Sequence, residues 1–171
     1  MIYHEFKELK LSSLGFGTMR LPLIPGGGEQ DIDQETLDRM VDCAIAGGVN
    51  YFDTAYPYHG GCSELAIGKS LARYPRESFY LADKFPGHQI VKGVKKLDPE
   101  TVFEEQLRKC GVEYFDFYLL HNINEHSMSY YGNPENKYLD YFLEQKANGR
   151  IKHLGFSCHS AAEGLEQFLQ M

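Results

Sequence analysis

The chain has 171 residues, of which 43% are hydrophobic and 24% charged, and these values are typical of one globular domain. Its formal net charge of -7 argues against general binding of nucleic acid or of anionic membranes, which requires a basic face. The four cysteines are far apart, no apolar run approaches the roughly 18 residues of a membrane span, and the first residues lack a leader pattern, so we expect a cytoplasmic protein with reduced thiols.

The first part of the chain predicts a hairpin, a loop and a helix. Residues Ile2–Leu11 alternate loosely and predict a small hairpin with the run that follows, and a short apolar segment then ends at Thr18. The loop Leu21–Asp31 is rich in proline and glycine, but it lacks the spacing of a phosphate-binding fingerprint, so we interpret it as flexible. From about Asp33 an apolar stripe at helical spacing predicts a helix, which ends at the pair Gly47-Gly48.

The next stretch, Asn50–Glu64, combines a strand with a polar loop. The apolar run Val49–Phe52 predicts a buried strand that ends on Asp53, and Tyr58 lies in the loop that follows. Ser63 is then predicted to cap a helix. α/β proteins often carry their chemistry in such loops. Taken alone, however, the carboxylate is equally well interpreted as an ordinary strand end and the tyrosine as a packing residue.

The rest of the chain continues the alternation of helices and strands. Asp98-Pro99 predicts a helix start, with a cap residue followed by proline at the first helical position, and Ser160–Glu163 matches a capping box. The predicted elements are a helix over 63–72, a strand over 79–85, a helix from 98 to Gly111, a strand over 114–121, a helix closed by Gly149, a strand over 151–158 and a last helix up to Met171.

Strands and helices that alternate at a spacing of roughly 35 residues predict an α/β fold with a parallel sheet. The glycine-rich dinucleotide fingerprint is absent after the first strand, which favours a partial (β/α)8 TIM barrel over a doubly wound sheet. We predict about five βα units with a possible N-terminal β-hairpin. Because a full barrel has about 250 residues, we expect residues 1–171 to be the N-terminal part of a single barrel that lacks the remaining strands and cofactor loops.

A polar residue stands at the carboxyl end of each predicted strand, and in a barrel these ends meet at one mouth. Asp53 and Lys84 end neighbouring strands and could pair, and a lysine beside Tyr58 would stabilise its phenolate and make it a proton donor. Neutral His121 could hydrogen-bond a substrate carbonyl. Together they could protonate a carbonyl oxygen while hydride reaches its carbon. The strand-end residues are Thr18, Asp53, Lys84, His121 and Ser157.

The sequence resembles the aldo-keto reductases along essentially its whole length. The matching stretches are Leu14–Met19, Phe52–Ala55 with Tyr58, Gly60–Glu64, Lys84, Tyr118–His121 and Ile151–Ser157. The resemblance implies a (β/α) barrel, an NADPH cofactor (with NADH possible) and the reversible conversion of a carbonyl to an alcohol on a small-molecule substrate.

The resemblance also implies residue roles. Tyr58 matches the family's general acid, Asp53 and Lys84 match the pair that tunes it, and His121 matches the residue that orients the carbonyl. Thr18, Met19, Asp53 and Ser157 match cofactor-binding positions around the nicotinamide.

One departure from the family pattern and one likeness to a subgroup stand out. Many members have asparagine after the serine of the fifth strand, where this chain has Cys158. The sequence around Tyr58 looks most like that of a bacterial subgroup that often carries a C-terminal ferredoxin-like segment. An iron–sulfur cluster is expected only if a longer natural chain carries it, because the cysteines here form no such cluster.

The sequence leaves two other functions as alternatives, a metal-dependent hydrolase and a non-enzymatic half barrel. A metal-dependent barrel hydrolase would use His59, His121, His159 and Asp53 as ligands, but the chain has no metal-binding His motif, so we predict no metal site. A non-enzymatic half barrel would associate with itself through open barrel edges. We expect the 171-residue chain to be inactive alone, and the loop 122–137, with Tyr130 and Tyr131, is the main candidate for a substrate pocket.

Overall fold

The structure, a computed structural model, describes residues 1–91 and 97–170. Strands and helices alternate along the chain after an N-terminal hairpin, which confirms the predicted α/β class with its five βα units. The strands are β1 (Tyr3–Phe6), β2 (Leu9–Ser12), β3 (Phe16–Gly17), β4 (Tyr51–Asp53), β5 (Tyr80–Phe85), β6 (Phe115–Ile123) and β7 (Ile151–Cys158). The helices are α1 (Gln34–Ala46), α2 (Ser63–Leu71), α3 (His88–Val91), α4 (Pro99–Cys110), α5 (Met128–Tyr131), α6 (Tyr138–Ala147) and α7 (Ala162–Leu169).

The chain divides into two compact units, so that β5 and α4 each belong partly to both. The first unit consists of Met1–Ala82 and Arg108–Val112, and the second of Asp83–Leu107 and Glu113–Met171. No helix in the described ranges has both the length and the apolar character that crossing a membrane requires.

The first unit contains the hairpin and three parallel strands. β1 and β2 pair with each other in antiparallel fashion around Lys7, whose φ of 52° is left-handed. The predicted pairing of Ile2–Leu11 with the following run is therefore wrong, because the turn at Lys7 folds that run back on itself. β4 pairs with β3 on one side and with β5 on the other, both in parallel.

The core of the first unit is apolar and aromatic. Phe52 of β4 is fully buried between the rings of Phe16 and Phe79, whose centroids lie 5.6 and 6.1 Å from its own. Leu37 and Val41 of α1 are also fully buried, as the predicted stripe requires. Both α1 and β4 therefore contribute side chains to the buried core of this unit.

The end of α4 packs closely on α2. A Cβ atom added at Gly68 would lie 2.7 Å from the carbonyl oxygen of Cys110, so only glycine allows this approach. Nearby, Nζ of Lys109 lies 3.1 Å from Oε2 of the fully buried Glu64, and it also lies 4.8 Å from the centre of the Tyr56 ring. The buried carboxylate is thereby paired with a cation.

The second unit is built on the parallel pair β6 and β7, packed against α4 and α6. Phe103 of α4, Tyr118 of β6 and Phe142 of α6 are all fully buried, and their ring centroids lie 4.9 to 6.3 Å apart. The hydroxyl of Tyr118 donates to Oε1 of Gln106 at 2.5 Å, which satisfies two polar groups within this apolar layer.

The ends of the chain's last helix differ from the prediction. Ala161 is the N-cap residue of α7, and no side chain bonds the helix end there. Oγ of Ser160 instead donates to Oε1 of Glu125 at 2.5 Å, so the predicted capping box is wrong. The helix ends at Leu169, and Met171 lies outside the described residues.

Candidate active site

In the first unit, Asp53 and Thr18 lie side by side at the carboxyl ends of neighbouring strands. Asp53 is the last residue of β4, opposite Gly17 of β3 and Ala82 of β5. Its carbonyl oxygen accepts a hydrogen bond from the backbone N–H of Thr18 at 2.9 Å. The parallel pairing therefore brings these two predicted site residues to one edge, as expected of strand ends in this class of fold.

A chain of buried hydroxyl groups lies beneath this edge. Oγ of Ser63 donates to Oγ1 of Thr18 at 2.7 Å and lies 3.0 Å from Oγ1 of Thr54, and all three residues are fully buried. Ser63 is therefore not the cap of α2, as predicted, because its hydroxyl is used by the strand ends. The N-cap residue is Cys62, whose side chain makes no capping bond.

The two residues next to this edge differ in environment. Thr18 is fully buried, whereas the neighbouring Met19 is 58% exposed and presents an apolar side chain at the surface. Their contact with a nicotinamide ring stays a prediction.

Tyr58 lies in a tight turn with an unusual backbone. The turn spans Tyr58–Gly61, and His59, Gly60 and Gly61 in succession have positive φ angles of 54°, 59° and 90°. Glycine adopts such angles readily, but a histidine does so only where its surroundings hold it. Tyr58 itself is partly exposed.

The surroundings of His59 explain its conformation. Its side chain is 6% exposed, Nε2 accepts the backbone N–H of Leu21 at 2.9 Å, and Nδ1 lies 2.9 Å from the carbonyl oxygen of Glu29. The ring thus connects the Tyr58 turn to the loop 21–31. Sequence reasoning treated His59 only as a metal ligand or a loop residue, because its partners lie 38 and 30 residues away.

In the second unit, Lys84 and His121 are both buried basic side chains. Lys84 is 5% exposed and His121 is 7% exposed. Burial lowers the pKa of His121 to about 3, and the charge of Lys84, followed by His88 and His159, adds to this effect. The imidazole of His121 is therefore neutral at physiological pH and can act as a hydrogen-bonding group rather than as a charge.

His121 lies in a bulge of β6. Leu120 pairs with Phe156 and Ile123 with Cys158, so two residues of β6, His121 and Asn122, face the single residue Ser157 of β7. Asn122 has a φ of 60°. Its backbone N–H donates to Oγ of Ser157 at 2.7 Å. Ser157 therefore stabilises the bulge that orients His121.

Two further residues hold His121, and sequence reasoning missed their role. The hydroxyl of Tyr131 lies 2.8 Å from the carbonyl oxygen of His121 and 3.1 Å from that of Phe85, and it accepts the backbone N–H of His88 at 3.2 Å. Burial raises the pKa of Tyr131, which keeps this hydroxyl a donor. The ring of His88 packs edge-on against that of His121, with centroids 4.7 Å apart. The pair Tyr130-Tyr131 is visible in the sequence, but its contacts depend on the tertiary fold.

A cavity of about 470 Å³ opens beside the loop that was the candidate substrate pocket. Tyr131 and Tyr138 line it, together with Leu120 and Phe156 of the two strands and Phe168 of α7. Its lining includes neither Lys84 nor His121. We therefore do not assign the chemistry to this cavity.

The side chains that could bind a metal ion are His, Cys, Asp and Glu. Among residues 1–91 and 97–170, no three His, Cys, Asp or Glu side chains are grouped so that they could hold a metal ion. His59, one of the four ligands considered, uses both ring nitrogens for backbone groups. The same described ranges contain no disulfide.

Comparison with protein families gives one match that covers most of the chain. Residues 13–170 match the profile of the Aldo/keto reductase family. The chain is also 28% identical over 180 residues to the NADH-specific methylglyoxal reductase of Escherichia coli, an alignment that covers 95% of this chain and 53% of that protein. The chain thus spans about half the length of the curated relatives that it matches.

Solved structures give the same result for the fold. An aldo-keto reductase from Bacillus halodurans in its holo form superposes with a TM-score of 0.75 at 27% identity, over 99% of this chain and 54% of that one. An aldo-keto reductase from Klebsiella pneumoniae, solved in complex with NADPH, has a TM-score of 0.70 at 21% identity, over 96% of this chain and 51% of that one. These likenesses confirm the predicted partial TIM-barrel fold.

Proposed function

This chain belongs to the Aldo/keto reductase family, and from that membership we propose that it serves to reduce the carbonyl group of a small aldehyde or ketone to an alcohol, with NADPH or NADH as the hydride donor. The family is one of oxidoreductases, so the enzyme class follows from membership. The substrate, the residue roles and the preferred nicotinamide are our proposal.

One observation carries the proposal: the neutral imidazole of His121 is buried beside the buried Lys84. A neutral ring can donate a hydrogen bond to a carbonyl oxygen and so hold the substrate in one orientation. A charged ring would itself be an acid and would compete with Tyr58 as the proton donor. The bulge, held by Ser157 and Tyr131, supports this role because it fixes the position of the ring.

We propose that Tyr58 delivers the proton. As the carbonyl carbon becomes tetrahedral, negative charge develops on its oxygen, and the phenolic O–H of Tyr58 transfers its hydrogen to that oxygen to give the alcohol. A bound nicotinamide supplies the hydride that the carbon receives. The cation of Lys84 is assigned to stabilise the tyrosinate that remains, and Asp53 to tune it together with Lys84, as the resemblance of their motifs implies.

We assign four residues to the nicotinamide, and they fit it chemically. The hydroxyl of Ser157 accepts the N–H of Asn122 and keeps its own hydrogen for a carboxamide oxygen. Met19 presents an apolar surface that suits the face of a planar ring. Thr18 and Asp53 lie at the same strand edge. One relative is named for NADH and one solved structure contains NADPH, so both forms are candidates.

The test is a reductase assay on the full-length protein, meaning the whole chain that the natural gene encodes. The assay follows the loss of reduced nicotinamide with methylglyoxal and other small aldehydes. Methylglyoxal is the first choice because the Escherichia coli relative is named for it. Tyr58→Phe should lower kcat by about 10²- to 10⁴-fold, the usual contribution of a proton donor, while the Kd for the nicotinamide stays within about twofold.

Tyr3→Phe, on the N-terminal hairpin, is the matched control and should keep the wild-type kcat. Wild-type turnover by Tyr58→Phe would overturn the role of that residue. A full-length protein that oxidises neither NADPH nor NADH with any carbonyl tested would contradict the function itself.

We further propose that the 171-residue chain alone does not turn over and associates with itself. It spans about half the length of its relatives. In the second unit, large apolar side chains are left at the surface: Leu139 and Leu143 of α6 are 49% and 48% exposed, and Leu169 of α7 is 66% exposed. Such side chains favour contact with another apolar surface.

A further inference from the structure

His59 has features that its position in a surface turn does not require. Its side chain is buried, its backbone adopts a left-handed conformation, and both ring nitrogens bond backbone groups of the loop 21–31. It directly follows Tyr58 in the chain. Any displacement of the His59 ring is therefore transmitted to the residue that carries the proposed proton donor.

The partners of the ring fix its protonation state. The backbone N–H of Leu21 can only donate, so Nε2 must be an acceptor without a hydrogen. The carbonyl oxygen of Glu29 can only accept, so Nδ1 must carry the hydrogen. The ring is therefore the neutral tautomer with its hydrogen on Nδ1.

The loop that His59 bonds is itself well anchored. Within it, the backbone N–H of Ile24 donates to the carbonyl oxygen of Asp31 at 2.8 Å, and Gly27 donates to Ile24 at 2.8 Å. At its end, Asp33 donates to the carbonyl oxygen of Pro22 at 2.9 Å, just before α1 begins. The loop, which the sequence predicts to be flexible, thus contains several backbone hydrogen bonds of its own. It offers the histidine a fixed support.

The turn also bonds this loop at its surface. Nε2 of Gln30 donates to the carbonyl oxygen of Gly60 at 3.3 Å, a long and exposed bond. Gly60 and Gly61 can adopt many backbone conformations. The imidazole bonds of His59 add a buried connection between the turn and the loop.

We propose that His59 is a positioning residue, which latches the Tyr58 turn to the loop 21–31 and so fixes the Tyr58 hydroxyl for proton transfer. The latch itself follows from the geometry, and its effect on proton transfer rests on the proposed function. His59 acts through Tyr58 and is not assigned any contact with substrate or cofactor.

The latch is tested by nitrogen NMR on the ¹⁵N-labelled protein at neutral pH. We expect the His59 ring to show its hydrogen on Nδ1 and a correlation from the Leu21 amide to Nε2. A ring with its hydrogen on Nε2, or a freely exchanging mixture of tautomers, would overturn the proposal. This measurement does not depend on any enzymatic activity.

The effect on Tyr58 is tested with variants of the full-length protein. His59→Ala removes both bonds and should lower kcat by about tenfold to a hundredfold, as small misplacements of reacting groups do, with KM for the nicotinamide changed by less than about threefold. His59→Gln should recover most of the lost kcat, because an amide also presents one donor and one acceptor side by side. His4→Ala, at an exposed histidine of β1, is the matched control.

Wild-type kcat in His59→Ala would contradict the positioning role even if the NMR result holds. Equal loss of kcat in His59→Ala and His59→Gln, with both variants folded, would also contradict it, since the amide should restore the latch. If the wild-type protein has no reductase activity at all, the proposed function fails, and the NMR result still decides whether the latch exists.

Discussion

At the scale of single residues, the charge state of His121 links the candidate site to the stability of the protein. The pKa of this histidine is about 3 in the folded protein, whereas an exposed histidine titrates near 6.5. Above pH 6.5 both folded and unfolded forms are neutral at this site. Between pH 6.5 and 3 only the unfolded form binds the proton, so acid favours unfolding.

We therefore predict that His121 costs the protein stability as the pH falls through this window. The free energy of unfolding should drop by about 1.4 kcal/mol for each pH unit below 6.5 because of this residue alone, or about 2 kcal/mol at pH 5. His121→Gln has no imidazole to titrate. Between pH 7 and pH 5 its free energy of unfolding should therefore fall by about 2 kcal/mol less than that of the wild type. Urea denaturation of both proteins at the two pH values measures the difference.

An equal loss of stability in wild type and His121→Gln would mean that the imidazole is not held neutral by its surroundings. His126→Gln, at an exposed histidine, is the control that should leave the pH dependence unchanged.

The residues that sequence reasoning missed share one property. Asp53 and Lys84 could be proposed because each is the polar residue at the carboxyl end of a predicted strand. The roles of His59 and Tyr131 could not, because most of their hydrogen-bond partners lie 30 to 46 residues away in the chain, although the His121 carbonyl is only 10 residues from Tyr131. Only the folded loops bring those backbone groups to the side chains.

At the scale of helices and strands, partners that are distant in the chain also distinguish the correct cap predictions from the wrong ones. Asp98 caps its helix as predicted and accepts the N–H of Thr101 at 2.8 Å. Asp33, near which a helix was expected to begin, caps α1 in the same way by accepting the N–H of Thr36 at 3.0 Å. Ser63 and Ser160 do not, because Thr18 and Glu125 bond their hydroxyls instead. A local rule predicts a cap well only where no tertiary partner competes for the side chain.

The close packing of α2 on the end of α4 leads to a prediction about Gly68. Its added Cβ would lie 2.7 to 2.8 Å from three backbone atoms of Cys110, none of which can move without shifting α4. Gly68→Ala should therefore lower the free energy of unfolding by about 1–3 kcal/mol, despite the better helix propensity of alanine.

Gly28→Ala is the matched control for this substitution. An added Cβ there meets only Oδ2 of Asp31 at 3.7 Å, an ordinary contact distance, so the change should stay within about 0.5 kcal/mol. Urea denaturation of the two variants compares them directly. A Gly68→Ala protein as stable as wild type would show that the two helices can separate freely.

At the scale of the whole molecule, the alternation of strands and helices was predictable because it depends on local patterns. The apolar runs and the stripe of α1 each match an observed element. In α6, Phe142 is fully buried whereas Leu139 and Leu143 are half exposed. Periodicity locates a helix, but the number of neighbours that pack on it decides how much of the stripe is covered.

These exposed leucines, with Leu169 of α7, determine what we expect of the 171-residue chain in solution. We predict that it associates with copies of itself, because contact between apolar surfaces removes them from water. We also predict that it does not bind NADPH measurably, because the four residues that we propose for the nicotinamide cannot alone supply the contacts that a dinucleotide needs.

One sedimentation velocity experiment examines both expectations. The chain is sedimented over a range of concentrations in the presence of NADPH, and the protein and the reduced nicotinamide are followed by their separate absorbance bands. We expect a sedimentation coefficient that rises with protein concentration, while the nicotinamide stays with the solvent. Leu139→Glu with Leu143→Glu should weaken the association, since removing two carboxylates from water against an apolar partner costs free energy. A strictly monomeric chain that carries NADPH with submicromolar affinity would contradict both expectations.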